Sequence, residues 1–407
     1  MQRAWRDIYS PVSIPSSTET PDTDTDTDTG AATNSLITEK PQDVFRVMTF
    51  NILAQAYISL SMYKAYPTCD HIIYKYREDL IVSHIGEVRP DIIGLQEVGV
   101  TEYHSLSRRL GSLGYCSVHL PMPYQSPSKG KGGLCLLWNG GTQTFPSSNN
   151  PADPKNGGQS RNIVLEHYQF YPLITPATHT LTNLIGSSNL VVEPELRILC
   201  LAYMQLAIFR FTYSKSANKT LIVANTHLHY DPSKPYIKTI QMSIACSILD
   251  RVTQWPGLEK AAVVFMGDFN SIPLKYASDE FDTVPEGTAP FMSGVYELAT
   301  LGSIDASHSH LAMPLSAPNT APPVTLTHKQ NLRSAYVEVT GSEPYCTNHT
   351  QKFRNVIDYI FYGNNNKIGP VRVLMPPTSA YLDKYVTLPN ADWPSDHIDL
   401  VCDFVFK

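Results

Sequence analysis

Short, continuous apolar runs bounded by polar residues or turn signals recur along this chain, and they constrain its fold more than any other feature. Their length is typical of buried strands, and none reaches the roughly 20 residues needed to cross a membrane. Apolar residues also recur at helical spacing in residues 75–89, 100–113 and 237–252. Because strands and helices alternate early and strands pair later, the pattern predicts an α/β fold in which two packed mixed sheets are flanked by helices. One domain is favoured over two.

Strong polar residues lie at the ends of several predicted strands. The segments VFRVMTFN, DIIGLQEV, KTLIVANTH and VVFMGDFN carry, at or near their ends, Asn51, Glu97, Asn225 with His227, and Asp268 with Asn270. Strand ends that border one sheet edge can converge on a single cleft although they are far apart in sequence. Each residue alone has a structural explanation, such as a turn cap or a satisfied core histidine. Their combination predicts a functional site.

The first 43 residues differ from the rest in composition. They contain the repeat TPDTDTDTDTG and carry eight acidic against three basic residues, which predicts a disordered acidic tail over residues 1–43. Residues 44–407 are predicted to form the catalytic domain, with polar loop insertions near 145–160 and 302–325. Since the tail holds most of the net charge of −6, the remainder is close to neutral. A nucleic-acid substrate would therefore be bound by short-range contacts and metal rather than by bulk charge.

The seven cysteines are scattered, mostly inside apolar runs. They show neither the paired spacing of a zinc site nor the density of a disulfide scaffold, so buried thiols in a reducing compartment are expected. The segment after Met1 lacks the apolar core of a signal peptide. The sequence therefore predicts an intracellular protein, cytoplasmic or mitochondrial, with no membrane contact and no obligate protein partner.

The carboxylates of Glu97 and Asp268 suit a hard cation. Magnesium takes oxygen ligands and usually keeps several waters, so one or two carboxylates are enough to hold it. Asp268 and Asn270 lie two residues apart on a predicted tight turn, which Gly267 permits, so both side chains can face one space. The carboxylate can bind metal or take a proton from water, and the amide can orient water or phosphate without adding a repelling charge. This pattern predicts a phosphoryl-transfer centre.

The segment WPSDHIDLV places Asp396 next to His397. Neighbours on a strand point to opposite faces, so a carboxylate that orients His397 is expected elsewhere. Asp358, which stands in the apolar strand VIDYIF, is the best candidate because a buried aspartate needs a partner to offset its desolvation.

Six motifs resemble those of the endonuclease/exonuclease/phosphatase superfamily and occur in the same order. They are TFNIL, DIIGLQEV, NTHL, GDFNSIP, VIDYIF and SDHI. The resemblance covers roughly residues 44–407 and implies a four-layered α/β sandwich of deoxyribonuclease I type. Within that superfamily, the chain is most similar to the branch of RNA deadenylases and 2′,5′-phosphodiesterases. This similarity rests on the segments YREDLI, YIKTIQM, YCTNHTQKF and LPNADWPSDHIDLVCDF.

The resemblance also implies roles for individual residues. Glu97 would hold magnesium with Asn51 beside it, Asp268 and Asn270 would form the catalytic turn, and Asp396 would lie near a second metal position. His227 and His397 would contact phosphate, and Asp358 would hold His397. In this branch an asparagine and a phenylalanine five residues later receive the terminal adenine, which implies Asn348 and Phe353; Asn225 is also expected to bind substrate. Lys129, Lys131, Lys352 and Arg354 are weaker candidates for backbone contacts.

The function expected from these residues is a phosphodiesterase or 3′-exoribonuclease that acts on adenylate chains, 2′,5′- or 3′,5′-linked. It would use one or two Mg²⁺ ions, with Mn²⁺ as a possible substitute. Alternatives with the same site are a nucleotide phosphatase of the nocturnin kind and a DNA-repair endonuclease. An alternative from another class is a non-catalytic scaffold that binds RNA or protein.

Overall fold

The computed structural model describes residues 3–7, 44–58, 70–121, 132–140, 163–173, 202–212, 218–276, 279, 284, 287–311, 325–363 and 366–407. The helices of these ranges are α1 (Tyr74–Val88), α2 (Val100–Gly111), α3 (Pro235–Val252), α4 (Gly294–Leu301), α5 (Ala335–Thr340) and α6 (Ser379–Leu382). Their strands are β1 (Trp5–Asp7), β2 (Val44–Asn51), β3 (Ile92–Val98), β4 (Tyr115–Leu120), β5 (Gly133–Asn139), β6 (Ile163–Pro172), β7 (Tyr203–Phe211), β8 (Lys219–His227), β9 (Ala262–Asp268), β10 (Leu274–Lys275), β11 (Phe291–Met292), β12 (Ser303–Ile304), β13 (Leu326–Thr327), β14 (Leu332–Ser334), β15 (Asn348–His349), β16 (Arg354–Asn355), β17 (Asp358–Gly363), β18 (Ile368–Leu374) and β19 (Leu400–Phe406).

Two mixed sheets form the centre of the fold. The first has the order β1-β18-β19-β2-β3-β5-β4, and the second has the order β14-β17-β9-β8-β7-β6. Each sheet contains one parallel pair, β2 with β3 and β8 with β9, and its other pairs are antiparallel. Short pairs join β10 to β11, β12 to β13 and β15 to β16.

Three apolar clusters separate four layers. One lies between the sheets and joins side chains such as Phe45 and Leu400 to Phe209 and Val264. A second packs α1 and α2 on the outer face of the first sheet, and a third packs α3 and α4 on the outer face of the second. The predicted four-layered sandwich of two mixed sheets flanked by helices is confirmed.

The helices agree with the spacing of apolar residues in the sequence. The helix predicted at 75–89 is α1, which ends where Arg89 adopts a left-handed backbone conformation, with φ 51°. The helix predicted at 100–113 is α2, which ends slightly earlier, and the third is α3. No helix among the described ranges is long and apolar enough to cross a membrane.

The first residues of the predicted disordered tail, residues 1–43, include an ordered strand. Trp5–Asp7 pairs antiparallel with β18 as an edge strand of the first sheet. The guanidinium groups of Arg46 and Arg372 lie 4.3 and 4.5 Å from the centroid of the Trp5 indole, which stabilises the strand by cation–π attraction. Residues 8–43 lie outside the described ranges.

The two predicted loop insertions differ in outcome. Residues 145–160 lie outside the described ranges. The first part of 302–325 is ordered, because it contains β12 and a short 3₁₀ turn at Ser309–Leu311 whose His310 is buried. Residues 312–324 lie outside the described ranges.

Candidate active site

The two parallel pairs bring polar strand ends to one place. Asn51 is the last residue of β2, and Glu97 is the second to last of β3, its parallel neighbour. In the other sheet, His227 ends β8 directly beside Asp268, which ends β9. Since parallel strands end at the same edge, each pair delivers its side chains to a common edge. The sheets are packed face to face, so the two edges meet.

The Asn51 amide joins the two predicted metal-binding carboxylates. Its Nδ2 atom donates hydrogen bonds to Glu97 Oε1 and Asp268 Oδ2, each at 3.0 Å. Those two oxygens are therefore at most 6.0 Å apart. Asn51 Oδ1 accepts a hydrogen bond from the Leu53 backbone at 3.0 Å, which fixes the orientation of the amide. In this arrangement Asn51 donates to the carboxylates rather than offering its oxygen to a metal.

The backbone around Glu97 is unusual. Its φ of 60° is uncommon for a residue with a side chain, and Glu97 Oε2 accepts a hydrogen bond from the Ala54 backbone at 2.9 Å. Gly132 lies so close that a Cβ atom there would be 2.5 Å from Glu97 Cα. A neighbour without a side chain is therefore required for this placement of Glu97.

Asp268 and Asn270 share a tight turn, as predicted. Gly267 has a φ of 147°, and a Cβ atom there would lie 2.1 Å from the Thr226 carbonyl oxygen. Asp268 Oδ1 accepts a hydrogen bond from the Asn270 backbone at 2.9 Å, and the Asn270 side-chain amide donates to the Leu228 carbonyl at 3.0 Å. Hydrogen bonds of both the Asp268 and the Asn270 side chains therefore stabilise the turn.

A buried lysine also supports this turn, and sequence reasoning missed it. Lys238 on α3 is 4 % exposed, and its Nζ atom donates to the Asn270 carbonyl at 2.7 Å. The available signal was a basic residue between Ile237 and Ile240, on the apolar face of a predicted helix. Because a buried ammonium needs partners, such a position indicates a fixed polar contact.

His397 and Asp358 form a hydrogen-bonded pair, as the sequence predicted. His397 Nδ1 lies 2.9 Å from Asp358 Oδ2, and both residues are buried. Thr347 Oγ1 accepts a hydrogen bond from the Asp358 backbone at 3.1 Å, which holds the strand that carries the carboxylate. Burial opposes a charge on His397, but the carboxylates of Asp358 and Asp268 outweigh it and raise the His397 pKa well above its usual value. The two carboxylates therefore favour the protonated form of the imidazole.

Two histidines approach one carboxylate oxygen. His227 Nε2 lies 3.4 Å from Asp268 Oδ2, and His397 Nε2 lies 3.7 Å from the same atom. Both ring nitrogens are donors when protonated, and both face the space beside Asp268. They are placed to donate to an anion that enters this space.

A cavity of about 460 Å³ opens beside these groups. Asn270, Asp396 and His397 line it together with the predicted base-binding residues Asn348 and Phe353. Asn348 is held against the catalytic segment because it forms an isolated β-bridge with His397. The predicted base-binding residues therefore share one cavity with Asn270, Asp396 and His397.

Asn225 does not reach this cavity, contrary to the expectation that it binds substrate. It is fully buried, accepts a hydrogen bond from Gln96 at 2.7 Å, and donates to Gln205 at 3.0 Å and to the Leu95 carbonyl at 3.2 Å. The reason is its position two residues inside β8, where only the terminal His227 emerges.

Two of the four basic residues that were expected to contact the nucleic-acid backbone lie at the cavity. Lys352 and Arg354 line the cavity, and Arg354 is also paired with Asp383 at 2.6 Å. Lys129 and Lys131 lie outside the described ranges.

The donor set of the cluster fits a divalent cation. Burial raises the pKa of Asp396, and the charge of Glu97 raises it further although His397 opposes the rise. Asn51 holds the Glu97 and Asp268 carboxylates within 6.0 Å of each other, and the charge of Glu97 also acts on Asp396, so an oxygen-binding cation would relieve the repulsion. Donor atoms of Asp268, Asp358 and His397 also lie within 4.8 Å of one another. Because Asp358 engages His397 Nδ1, that trio fits an oriented histidine better than a metal centre.

Two mixed sheets between helices, with carboxylates and histidines at the ends of the central strands, define the deoxyribonuclease I-like class of α/β sandwich. The model of the Endonuclease/Exonuclease/phosphatase family matches residues 48–397, and the chain belongs to this family. The family predicted from the six motifs is confirmed.

Two kinds of curated relative resemble the chain over most of its length. It is 28 % identical over 378 residues to the CCR4-Not complex 3′-5′-exoribonuclease subunit Ccr4 of Schizosaccharomyces pombe, covering 89 % of this chain and 49 % of the relative. It is 26 % identical over 373 residues to 2′,5′-phosphodiesterase 12 of Homo sapiens, covering 89 % and 52 %. The chain thus spans about half the length of these relatives.

Solved structures share the fold. ANGEL2, a 2′,3′-cyclic phosphatase solved with adenosine-2′,3′-vanadate, aligns with a TM-score of 0.66 at 18 % identity, covering 100 % of this chain and 99 % of that one. The human Nocturnin catalytic domain with bound sulfate aligns with a TM-score of 0.54 at 22 % identity, covering 90 % and 96 %.

Proposed function

We propose that this chain is a divalent-metal-dependent phosphodiesterase that removes adenylate from the 3′ end of RNA or from the 2′ end of 2′,5′-linked oligoadenylate. The observation that carries the proposal is the Asn51 amide, which joins Glu97 to Asp268 beside the His397–Asp358 pair. The names of the curated relatives, an exoribonuclease subunit and a 2′,5′-phosphodiesterase, support the same class of reaction.

In this proposal the protein groups divide the work of phosphoryl transfer. Asp268 accepts a proton from a water that attacks phosphorus in line with the leaving oxygen. His227 and His397 donate to the non-bridging oxygens, and Asp358 keeps His397 oriented and charged. Glu97, Asp268 and Asp396 would hold Mg²⁺, which neutralises charge that develops on the phosphate and leaving oxygen. Asn51 keeps the two carboxylates together.

The adenylate preference rests on Asn348 and Phe353. Both line the cavity next to His397, so a base held there lies near the reacting phosphate. An amide can hydrogen-bond the edge of adenine, and an aromatic ring can stack on its face for about 1–3 kcal/mol. Phe353→Ala is therefore expected to raise KM for oligoadenylate by about 5- to 150-fold, with little effect on a minimal phosphodiester that has no base.

Product analysis of paired triadenylates tests the activity. The 2′,5′- and 3′,5′-linked trimers are incubated with the protein in Mg²⁺, in Mn²⁺ and in excess chelator. Release of 5′-AMP in metal and none in chelator is expected. Glu97→Gln and Asp268→Asn should lower kcat by at least about 100-fold, because each removes a charge from the cluster.

Asp79→Asn, at an exposed carboxylate of α1, serves as the matched control and should retain full activity. Turnover that persists in chelator, or full activity of Asp268→Asn, would contradict the proposal. Tight RNA binding with no hydrolysis in metal would instead identify a non-catalytic scaffold. Release of inorganic phosphate from mononucleotides alone would identify a nucleotide phosphatase.

A further inference from the structure

The cavity beside the catalytic cluster extends to an element that the proposed function does not use. Tyr230, in the segment between β8 and α3, lines the same cavity as Phe353, which comes from the turn between β15 and β16. These are the two phenyl-type rings among its described lining residues. The cavity is therefore bordered by aromatic rings from two separate parts of the chain.

Tyr230 is not packed in the core of the fold. It is 74 % exposed, the highest fraction among the large hydrophobic side chains of the described ranges. Its ring contacts that of His229, with centroids 5.1 Å apart. Among the described residues no hydrogen bond reaches its hydroxyl group. A rigid ring that stands in water at the border of a cavity is suited to stack on a planar ligand.

The charge around this cavity favours an anionic ligand. Its lining carries the cations Lys238, Lys275, Lys352 and Arg354 against the acids Asp279 and Asp396. Lys275 is only 6 % exposed and pairs with Asp279 at 3.3 Å, so its ammonium is fixed within the wall, and the remaining lining cations still outnumber Asp396. Aromatic rings interleaved with cations form the surface that binds single-stranded nucleic acid.

We propose that Tyr230 stacks on the base of the nucleotide upstream of the scissile phosphate, while Phe353 holds the terminal base. This inference rests on the proposed function and deepens it, because it makes recognition extend over two nucleotides. The preferred substrate is then a chain of at least two nucleosides rather than a mononucleotide or a simple phosphate ester.

The test compares two diesters that differ by one base. One is diadenylate, in the linkage that the wild-type protein cleaves. The other has the same linkage, but its upstream unit is an abasic ribose joined to adenosine 5′-phosphate. The wild-type protein should prefer diadenylate in kcat/KM by about 5- to 150-fold, the range of one stacked base. Tyr230→Ala should abolish this preference, and Tyr230→Phe should retain it because the ring remains.

Phe170→Ala is the matched control, since Phe170 is a 50 % exposed ring on β6 outside the cavity. It should leave the preference unchanged. The inference is overturned if Tyr230→Ala lowers kcat/KM for both diesters equally. It is also overturned if the wild-type protein cleaves both diesters equally well. Either result leaves the proposed function standing. A wild-type protein that cleaves neither diester overturns both.

Discussion

His397 Nδ1 lies 2.9 Å from Asp358 Oδ2, and β17 carries that carboxylate into a buried position opposite Asp268. The pair keeps one imidazole nitrogen occupied, so the other is directed towards the Asp268 carboxylate. We predict that Asp358→Asn lowers kcat for an adenylate trimer by about 100- to 10,000-fold, because the charged imidazole loses its orientation and its counter-charge.

The measurement is steady-state kinetics, with folding checked by thermal unfolding. KM should change little, since Asp358 is shielded from substrate behind His397. A variant with unaltered kcat would show that the pair is purely structural.

Lys238 donates to the Asn270 carbonyl, and this contact predicts a separation of activity from stability. Lys238→Met should lower kcat by about 10- to 100-fold, because the turn that carries Asp268 and Asn270 loses a fixed support. The midpoint of thermal unfolding should not fall, because a buried methionine carries no desolvation cost. Lys238→Arg keeps a cationic donor and should restore part of the rate.

Lys260→Met, at an exposed lysine, is the matched control for loss of positive charge. An equal loss of kcat in both variants would point to overall charge, and a large drop in unfolding temperature for Lys238→Met would point to a structural role.

The sequence was informative wherever a polar residue ended a buried run. Asn51, His227 and Asp268 stand at the last positions of their strands, so local pattern and sheet geometry together located them. Asn225 failed the same argument because β8 continues for two more residues. A difference of two positions moves a side chain about 6.6 Å along a strand, which is enough to leave it inside the fold.

Other features depend on contacts between remote segments. The strand Trp5–Asp7 is only three residues long, and its register with Arg372 to Leu374 is set by residues far along the chain. Tyr230 carries no local pattern at all, since its importance follows from its exposure at a cavity border. Such properties come from tertiary packing and cannot be found in periodicity.

Arg3 forms a buried ion pair with Asp399, and this contact ties the N-terminal segment to the region of His397. Arg3 Nη2 also donates to the Asp399 carbonyl at 2.8 Å, and His84 Nε2 lies 3.0 Å from Asp399 Oδ1. Arg3→Met should lower the free energy of unfolding by about 3 kcal/mol, because it leaves a buried carboxylate without its main counter-charge. Urea unfolding gives this value.

Arg6→Met, at an exposed position of β1, should change stability by less than about 0.5 kcal/mol. The double variant Arg3→Met with Asp399→Asn should lose less stability than the sum of the two single variants, because neither charge is then left alone. Additive losses would show that the ion pair contributes no coupling.

Glu343 predicts a dependence of stability on pH. Burial raises its pKa to about 7, although hydrogen bonds from Ser334 and Tyr296 oppose the rise. Below the unfolded pKa of 4.5 both states are protonated, and Glu343 has no effect on stability. As pH rises from there to about 7, the unfolded state releases its proton first, so the protein loses stability, by at most about 3 kcal/mol.

Glu343→Gln isolates this contribution, since the amide keeps the shape of the side chain and does not titrate in this range. The difference in unfolding free energy between the variant and the wild-type protein is followed by urea titration from pH 4 to pH 8, where about 1.4 kcal/mol corresponds to one order of magnitude in the unfolding equilibrium constant. This difference should grow in favour of the variant with rising pH and level off above about pH 7. Glu87→Gln, at an exposed position of α1, should give a flat difference. A flat difference for Glu343→Gln as well would mean that Glu343 ionises in the folded protein as it does in the unfolded chain, and burial would then not control its proton.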